Sequence, residues 1–154
     1  MKELPAIEKT YTLIATDLDR ELDEARVQGN QQGIEWLENQ RQINDSAYFI
    51  LVWGQLEARI NELCETAIRS RVDSTDWDRR RAWDAYNPDD LRIKFEDKAA
   101  LVLDRTNTAG TGYRKTMNFY GQRNRVAHGK SLATGIDVPF FISEVYQIIS
   151  EMRA

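Results

Sequence analysis

The chain has 154 residues, enough for one domain that buries most of its unfolded surface without disulfide or metal support. Its 21 basic and 25 acidic residues give a net charge of −4, which excludes a globally basic nucleic-acid coat but leaves room for a local basic site. One cysteine, Cys64, and one histidine, His128, exclude a disulfide framework and an ordinary zinc site.

Met1-Lys2-Glu3-Leu4-Pro5 has no apolar leader. The longest apolar run, Ala47 to Gly54, falls far short of the roughly 20 residues that cross a bilayer. The expectation is a soluble, cytoplasmic protein. The whole chain reads as helix, with three prolines and no Asn-Gly or Asp-Gly hairpin signal.

The first helix is expected over Ile7 to Val27. There Ile7, Tyr11, Ile14, Leu18, Leu22 and Ala25 recur at three- and four-residue steps, and Gly29-Asn30 ends the pattern. The second runs from Ile34 to Arg71. Ile43, Ala47, Ile50, Leu51, Gly54, Ala58 and Leu63 form one stripe, and Phe49, Trp53, Ile60, Cys64, Ala67 and Ile68 widen it. At 1.5 Å per residue this helix spans about 55 Å, so a break or an exposed stretch is expected, with Asn44-Asp45-Ser46 the best place for a new cap. The width of the apolar band implies burial on more than one side.

Ser74-Thr75-Asp76 can cap a short helix through Trp77, Ala82, Trp83 and Tyr86. Pro88 then suits the first turn of a helix carrying Leu91, Phe95, Ala99 and Val102 and stopping near Arg105. Thr106 to Gly112 is loop by composition. A helix from Tyr113 to His128 follows, with Gly129 at its C′ position, and a last helix covers Pro139 to Met152. The sum is an all-α, up-down bundle of four main helices with one or two short ones.

Charge is unevenly spread. Residues 1–65 hold 6 basic and 13 acidic side chains, whereas residues 66–154 hold 15 and 12. Between Arg105 and Ile136 stand six basic residues, Arg105, Arg114, Lys115, Arg123, Arg125 and Lys130, and no acid. Such a run faces phosphates, or it is a solvated face matched to the acidic half.

The sharpest motif is Arg123-Asn124-Arg125-Val126-Ala127-His128-Gly129. On a helix Asn124 and His128 are neighbours one turn apart, and the long Arg123 side chain can bend toward them. An imidazole can take or give a proton near neutral pH, and a guanidinium matches a pair of phosphate oxygens. Together they suit cleavage of a phosphodiester by the neighbouring ribose 2′-hydroxyl. That reaction needs a base, an acid and positive charge on the phosphorane, and no metal. The same residues also read as an ordinary helix end with solvated arginines.

Arg123-Asn124-x-x-x-His128, late in a small all-α chain, resembles the R-x(4–6)-H motif of the HEPN domains. The long helix before it, Phe49-Ile50-Leu51-Val52-Trp53-Gly54-Gln55-Leu56-Glu57-Ala58-Arg59-Ile60, resembles that superfamily's aromatic- and acid-bearing helix. The resemblance covers roughly residues 43–152. It implies a single domain over residues 1–154, with helix 1–30 either packed in the bundle or serving as an arm.

It implies a homodimer whose arginines and histidines meet in a cleft between protomers. It also implies metal-independent endoribonuclease activity without a cofactor, in toxin–antitoxin, phage-defence or RNA-processing systems. By position, Arg123 would stabilise the scissile phosphate, His128 would be the general acid/base, and Asn124 would orient it. Arg125, Lys130, Arg114 and Lys115 would hold RNA, and an antitoxin or other regulatory protein would be a partner. A branch paired with nucleotidyltransferase antitoxins carries a tyrosine two residues after the histidine, where this chain has Lys130. The alternative within the same resemblance is a non-catalytic dimeric module that binds RNA or a partner protein.

Other sites are weaker. Gly110-Thr111-Gly112 follows a helix and lacks the Gly-Lys-Ser/Thr ending of a phosphate loop. Arg79-Arg80-Arg81 between Trp77 and Trp83 reads as packing with neutralised charge, or as an RNA-stacking surface. Cys64 reads as an inert core residue. Glu57 and Glu62 are acids of the long helix that could reach a cleft.

Overall fold

The computed structural model describes residues 3–81, 83, 86, 92–106, 110–130 and 135–153, with Arg79 described in its backbone only. Among these residues there is helix and no strand. Four helices are long: α1 (Leu4–Val27), α2 (Gln31–Val72), α5 (Gly112–Ala127) and α6 (Val138–Glu151). Two are short: α3 (Trp77–Arg81) and α4 (Phe95–Val102). The fold is all-α, as the apolar spacings predict.

Local chemistry explains the boundaries. Pro5 suits the first turn of α1, where its missing N–H costs nothing. At the other end Gly29 takes φ 65°. The amides of Gly29 and Asn30 donate to the carbonyls of Arg26 (3.1 Å) and Ala25 (3.0 Å), a Schellman closure. Asn30 then starts α2, its Oδ1 accepting the Gly33 amide at 3.0 Å. Asp76 caps α3 by accepting the Asp78 amide (3.0 Å), and Asp137 caps α6 by accepting the Phe140 amide (2.9 Å).

Two expected boundaries move. Asn44-Asp45-Ser46 does not break α2, which is helical without interruption from Gln31 to Val72. The Asp45 side chain accepts from the Tyr11 hydroxyl and from Arg41 instead of capping a new turn. The helix expected from Pro88 begins at Phe95, after Lys94 in extended conformation. Ala82, Pro88 and Leu91, which the expected short helices also used, lie outside the described residues.

The chain divides into two compact units, Met1–Gln55 with Gly121–Ser143 and Leu56–Tyr120 with Glu144–Ala154. In the first, the apolar core includes Leu4, Tyr11, Leu37, Phe49, Trp53, Val138 and Phe141. Full burial of each large apolar side chain contributes about 1.5–3 kcal/mol before entropy is counted. The Phe49 and Phe141 rings lie 4.5 Å apart between centroids.

A polar network joins α1 to α2 within this unit. The buried Tyr11 hydroxyl donates to Asp45 Oδ1 at 2.9 Å, and Arg41 Nε donates to the same oxygen at 3.2 Å. Arg41 also binds the Ala15 carbonyl (3.2 Å) and the Asp19 carboxylate. Burial, then the bond to Asp45, pushes the Tyr11 hydroxyl up to about 12.

The second unit centres on Leu56, Ile60, Cys64 and Ile68 of α2, Val102 of α4, and Val145 and Ile148 of α6. Phe95 stacks on Tyr120 at 4.6 Å. Lys98 Nζ donates to Asn61 Oδ1 at 3.0 Å, and the Arg153 amide donates to the Val102 carbonyl at 2.9 Å. Burial raises the Cys64 thiol, against the opposing charge of Lys98. That favours the unreactive protonated form.

The two apolar stripes of α2 part company. Phe49, Trp53, Ile60, Cys64, Ala67 and Ile68 are all buried. In the other stripe Ile43 is 54% and Leu51 51% exposed, and Ala47, Gly54 and Ala58 are exposed too. In α1, Tyr11 and Ala25 are buried as expected, whereas Ile14 is exposed. In α6, Phe140 is exposed beside buried Phe141.

Candidate functional site

The Arg123–His128 segment forms the last turn of α5 and its closure. Gly129 takes φ 70°. Its amide donates to the Val126 carbonyl at 2.9 Å, and the Lys130 amide donates to the Arg125 carbonyl at 2.9 Å. This is again the Schellman pattern, with His128 as the C-cap residue. The His128 amide is shared between the carbonyls of Asn124 and Arg125, at 3.2 Å each. Main-chain bonds and a glycine therefore hold the turn, and the imidazole stands exposed on it.

One turn back, Arg123 and Asn124 are both half-buried. Arg123 Nη1 donates to Asn124 Oδ1 at 3.0 Å. The bond fixes which way the amide points, with its carbonyl oxygen toward the guanidinium. The last turn of α5 thus brings together a paired Arg123–Asn124 and an exposed imidazole one turn beyond Asn124. Chemically, such a set can supply positive charge, an orienting amide and a proton carrier.

The remaining expected contacts divide. Arg125 and Lys130 are exposed at the same helix end. Arg114 is exposed but near the start of α5, three to four turns away. Lys115 is half-buried and engaged: its ammonium lies 2.7 Å from Glu144 Oε2 and donates to Gln147 Oε1 at 3.0 Å. Glu144 is 7% exposed, so Lys115 neutralises a buried carboxylate. Part of the basic run is thereby matched by α6.

The weaker candidates resolve locally. The Gly112 amide at the start of α5 donates to Glu151 Oε2 at 2.7 Å, so a carboxylate of the chain fills the place a phosphate would take. A β-carbon at Gly112 would sit 2.7 Å from that oxygen, so the Glu151 carboxylate would have to shift to admit one. Arg81 lies over the Trp77 ring at 4.8 Å and Arg71 over the Trp83 ring at 4.9 Å. These arginines lie on indole faces, while Trp77 itself is 58% exposed. Glu62 is paired with Arg59 at 2.7 Å, which lowers its carboxyl below the usual range.

No protein-family model matches the chain, and no curated protein or solved structure does so either.

Among the described residues no group of three or more His, Cys, Asp or Glu side chains could hold a metal ion, and no helix is long and apolar enough to cross a membrane. One further residue on this face of α5 lies outside the motif. Gly121 is exposed in the interior of α5, and a β-carbon there would meet nothing within 4 Å. It stands four residues before Arg125 and seven before His128, on the same ridge. Its signal in the sequence was a glycine inside a helical pattern, where alanine is the better helix former.

Proposed function

We propose that this chain is a metal-independent endoribonuclease of the HEPN type, acting as a homodimer. The observation that carries the reading is the exposed His128 imidazole at the C-cap of α5, one turn from an Asn124 already bonded to Arg123. In the reaction the ribose 2′-oxygen bonds to phosphorus while the bond from phosphorus to the 5′-oxygen breaks. The 2′-hydroxyl gives up a proton and the leaving 5′-oxygen takes one.

Arg123 would hold the phosphate oxygens as charge builds on them, and His128 would move the proton. The chain has a single histidine, so one copy cannot offer a neutral imidazole as base and an imidazolium as acid at once. The homodimer comes from the HEPN resemblance, and two copies meeting in one cleft would supply the pair. Asn124 would orient the imidazole. Arg125 and Lys130 would add phosphate contacts, and the exposed backbone at Gly121 would let a strand approach the ridge. Such a toxin-like activity calls for an antitoxin or other regulatory partner, within toxin–antitoxin, phage-defence or RNA-processing systems.

The test is cleavage of a mixed RNA pool in EDTA by wild type and His128→Ala, with analysis of product ends. Wild type should leave 2′,3′-cyclic phosphate and 5′-hydroxyl ends, and His128→Ala should leave the RNA intact. Cleavage that needs a divalent metal, or that survives the substitution, overturns the proposal. Salt-sensitive binding without turnover by either protein would instead establish the non-catalytic RNA-binding module.

A further inference from the structure

We infer that the segment around α3 is a stacking platform for single-stranded nucleic acid, RNA under the function proposed above. It is additional to that function and rests on its RNA binding alone, not on its cleavage chemistry.

The segment brings three aromatic rings to the surface. Trp77 is 58% and Tyr86 39% exposed, with Trp83 half-buried. An indole left in water forfeits most of what its burial would contribute, whereas Trp53 of the same chain is 1% exposed. The rings are also held in place. Arg81 lies over Trp77 at 4.8 Å and Arg71 over Trp83 at 4.9 Å, and the Tyr86 ring stands 5.6 Å from that of Trp83. With Arg81 on one face of Trp77, the exposure of the indole leaves room for a second flat group on the other. A guanidinium is itself a plane on which a base can stack.

The charges around the rings decide the class of ligand. Arg71 donates to the Ala67 carbonyl at 2.8 Å and Arg80 to the Ser74 carbonyl at 3.4 Å. These neutral partners orient the guanidiniums and leave their charge for a phosphate. Asp78 pairs with Arg81 at 3.3 Å, and Asp76 Oδ1 accepts the Asp78 amide. From Arg71 to Tyr86 four arginines are balanced by four aspartates, so no net field draws a polyanion in.

Binding then rests on ring faces more than on phosphates. That selects unpaired bases over a duplex, whose bases already stack on one another. An apolar peptide would have to strip water from the stacked guanidiniums without replacing it. A base needs only the faces and leaves the arginine edges to its own phosphates.

The experiment titrates the full chain with a 2′-O-methylated oligouridine and follows tryptophan fluorescence. The methyl group removes the nucleophile of the proposed cleavage, so the probe stays whole whether or not the protein cuts RNA. Wild type should bind it with quenched indole emission, and should bind a duplex of the same length more weakly. Trp77→Ala should weaken this binding by about 5- to 150-fold, the range for one lost base stack. Trp77→Phe should keep most of the affinity, and both variants should keep the far-ultraviolet circular dichroism of wild type. The quenching should survive Arg125→Met, which separates the platform from the Arg123–His128 turn.

No quenching, quenching unchanged by Trp77→Ala, or a duplex bound as tightly as the single strand overturns the platform. A polyproline peptide that binds where the oligonucleotide does not would also overturn it, and would make the surface a protein dock. Trp77-dependent binding by a protein that leaves an unmethylated RNA pool intact overturns the nuclease and keeps the platform. Cleavage of that pool with Trp77-independent binding does the reverse.

Discussion

Asp45→Ala tests whether the α1–α2 network is a coupled unit or a set of incidental contacts. Its carboxylate is 16% exposed in the side chain and accepts from Tyr11 at 2.9 Å and from Arg41 at 3.2 Å. A hydrogen bond to a charged group contributes about 1.5–3 kcal/mol, and a buried donor left without a partner costs about 1–3 kcal/mol. Arg41 keeps the Ala15 carbonyl and Asp19, so most of the loss falls on Tyr11. The expected destabilisation is about 2–3 kcal/mol, which for a chain of this size lowers the melting temperature by roughly 5–10 °C.

Tyr11→Phe alone should cost about 1–2 kcal/mol, but less than about 0.5 kcal/mol when Asp45 is already alanine. The assay is equilibrium unfolding in urea followed by circular dichroism, with the midpoint compared at constant slope. If the two single losses add to the double within about 0.3 kcal/mol, the hydroxyl and the carboxylate do not depend on each other and the argument fails.

Further outcomes are expected. Tyr11 should ionise late, from 10 up to about 12. The unfolded chain loses that proton first, so the folded state binds more protons in this window and stability falls as pH rises through it. Phenolate absorbance should show a late phase that Tyr11→Phe removes; its persistence in that variant refutes the assignment. Gly129→Ala should cost about 1–2 kcal/mol because φ is 70° there, with Gly129→Asn milder; equal stability of the three proteins in thermal melts contradicts the Schellman closure. Lys115→Met should lower stability by stranding Glu144. Arg125→Met should leave stability level and weaken RNA binding, reducing its salt dependence by about one phosphate contact. The reverse pattern in filter binding and melts would exchange their roles.

Much of the fold is legible because helices announce themselves locally. Gly29, Asn30 and Gly129 mark ends through their own backbone conformation or side chain, so reading them needs no knowledge of the rest. What is not local is less legible. Asp45 looks like a cap until Tyr11, 34 residues away, is known to face it. The two stripes of α2 share one period, so spacing alone does not say which faces the core. The aromatic residues and cysteine mark the buried stripe, and the small residues mark the open one. In the candidate site, His128 at a helix end follows from Gly129. The engagement of Lys115 by Glu144 does not, because the two residues meet only through the packing of α5 and α6.

The closure at Gly129 has a consequence for how this protein can change. The turn is held by amides, carbonyls and a glycine, so folding places almost no demand on which side chain occupies position 128. Exchange of this exposed side chain for another that keeps the amide should therefore leave abundance and proteolysis almost unchanged. Under the proposed chemistry, a lineage could lose cutting in a single step and keep a well-folded, assembling protein. If the proposed homodimer forms, such a silenced chain, produced beside an intact one, would join it in mixed pairs with one imidazole in place of two. The first inactive descendant would thus arrive ready-made as an inhibitor of its parent.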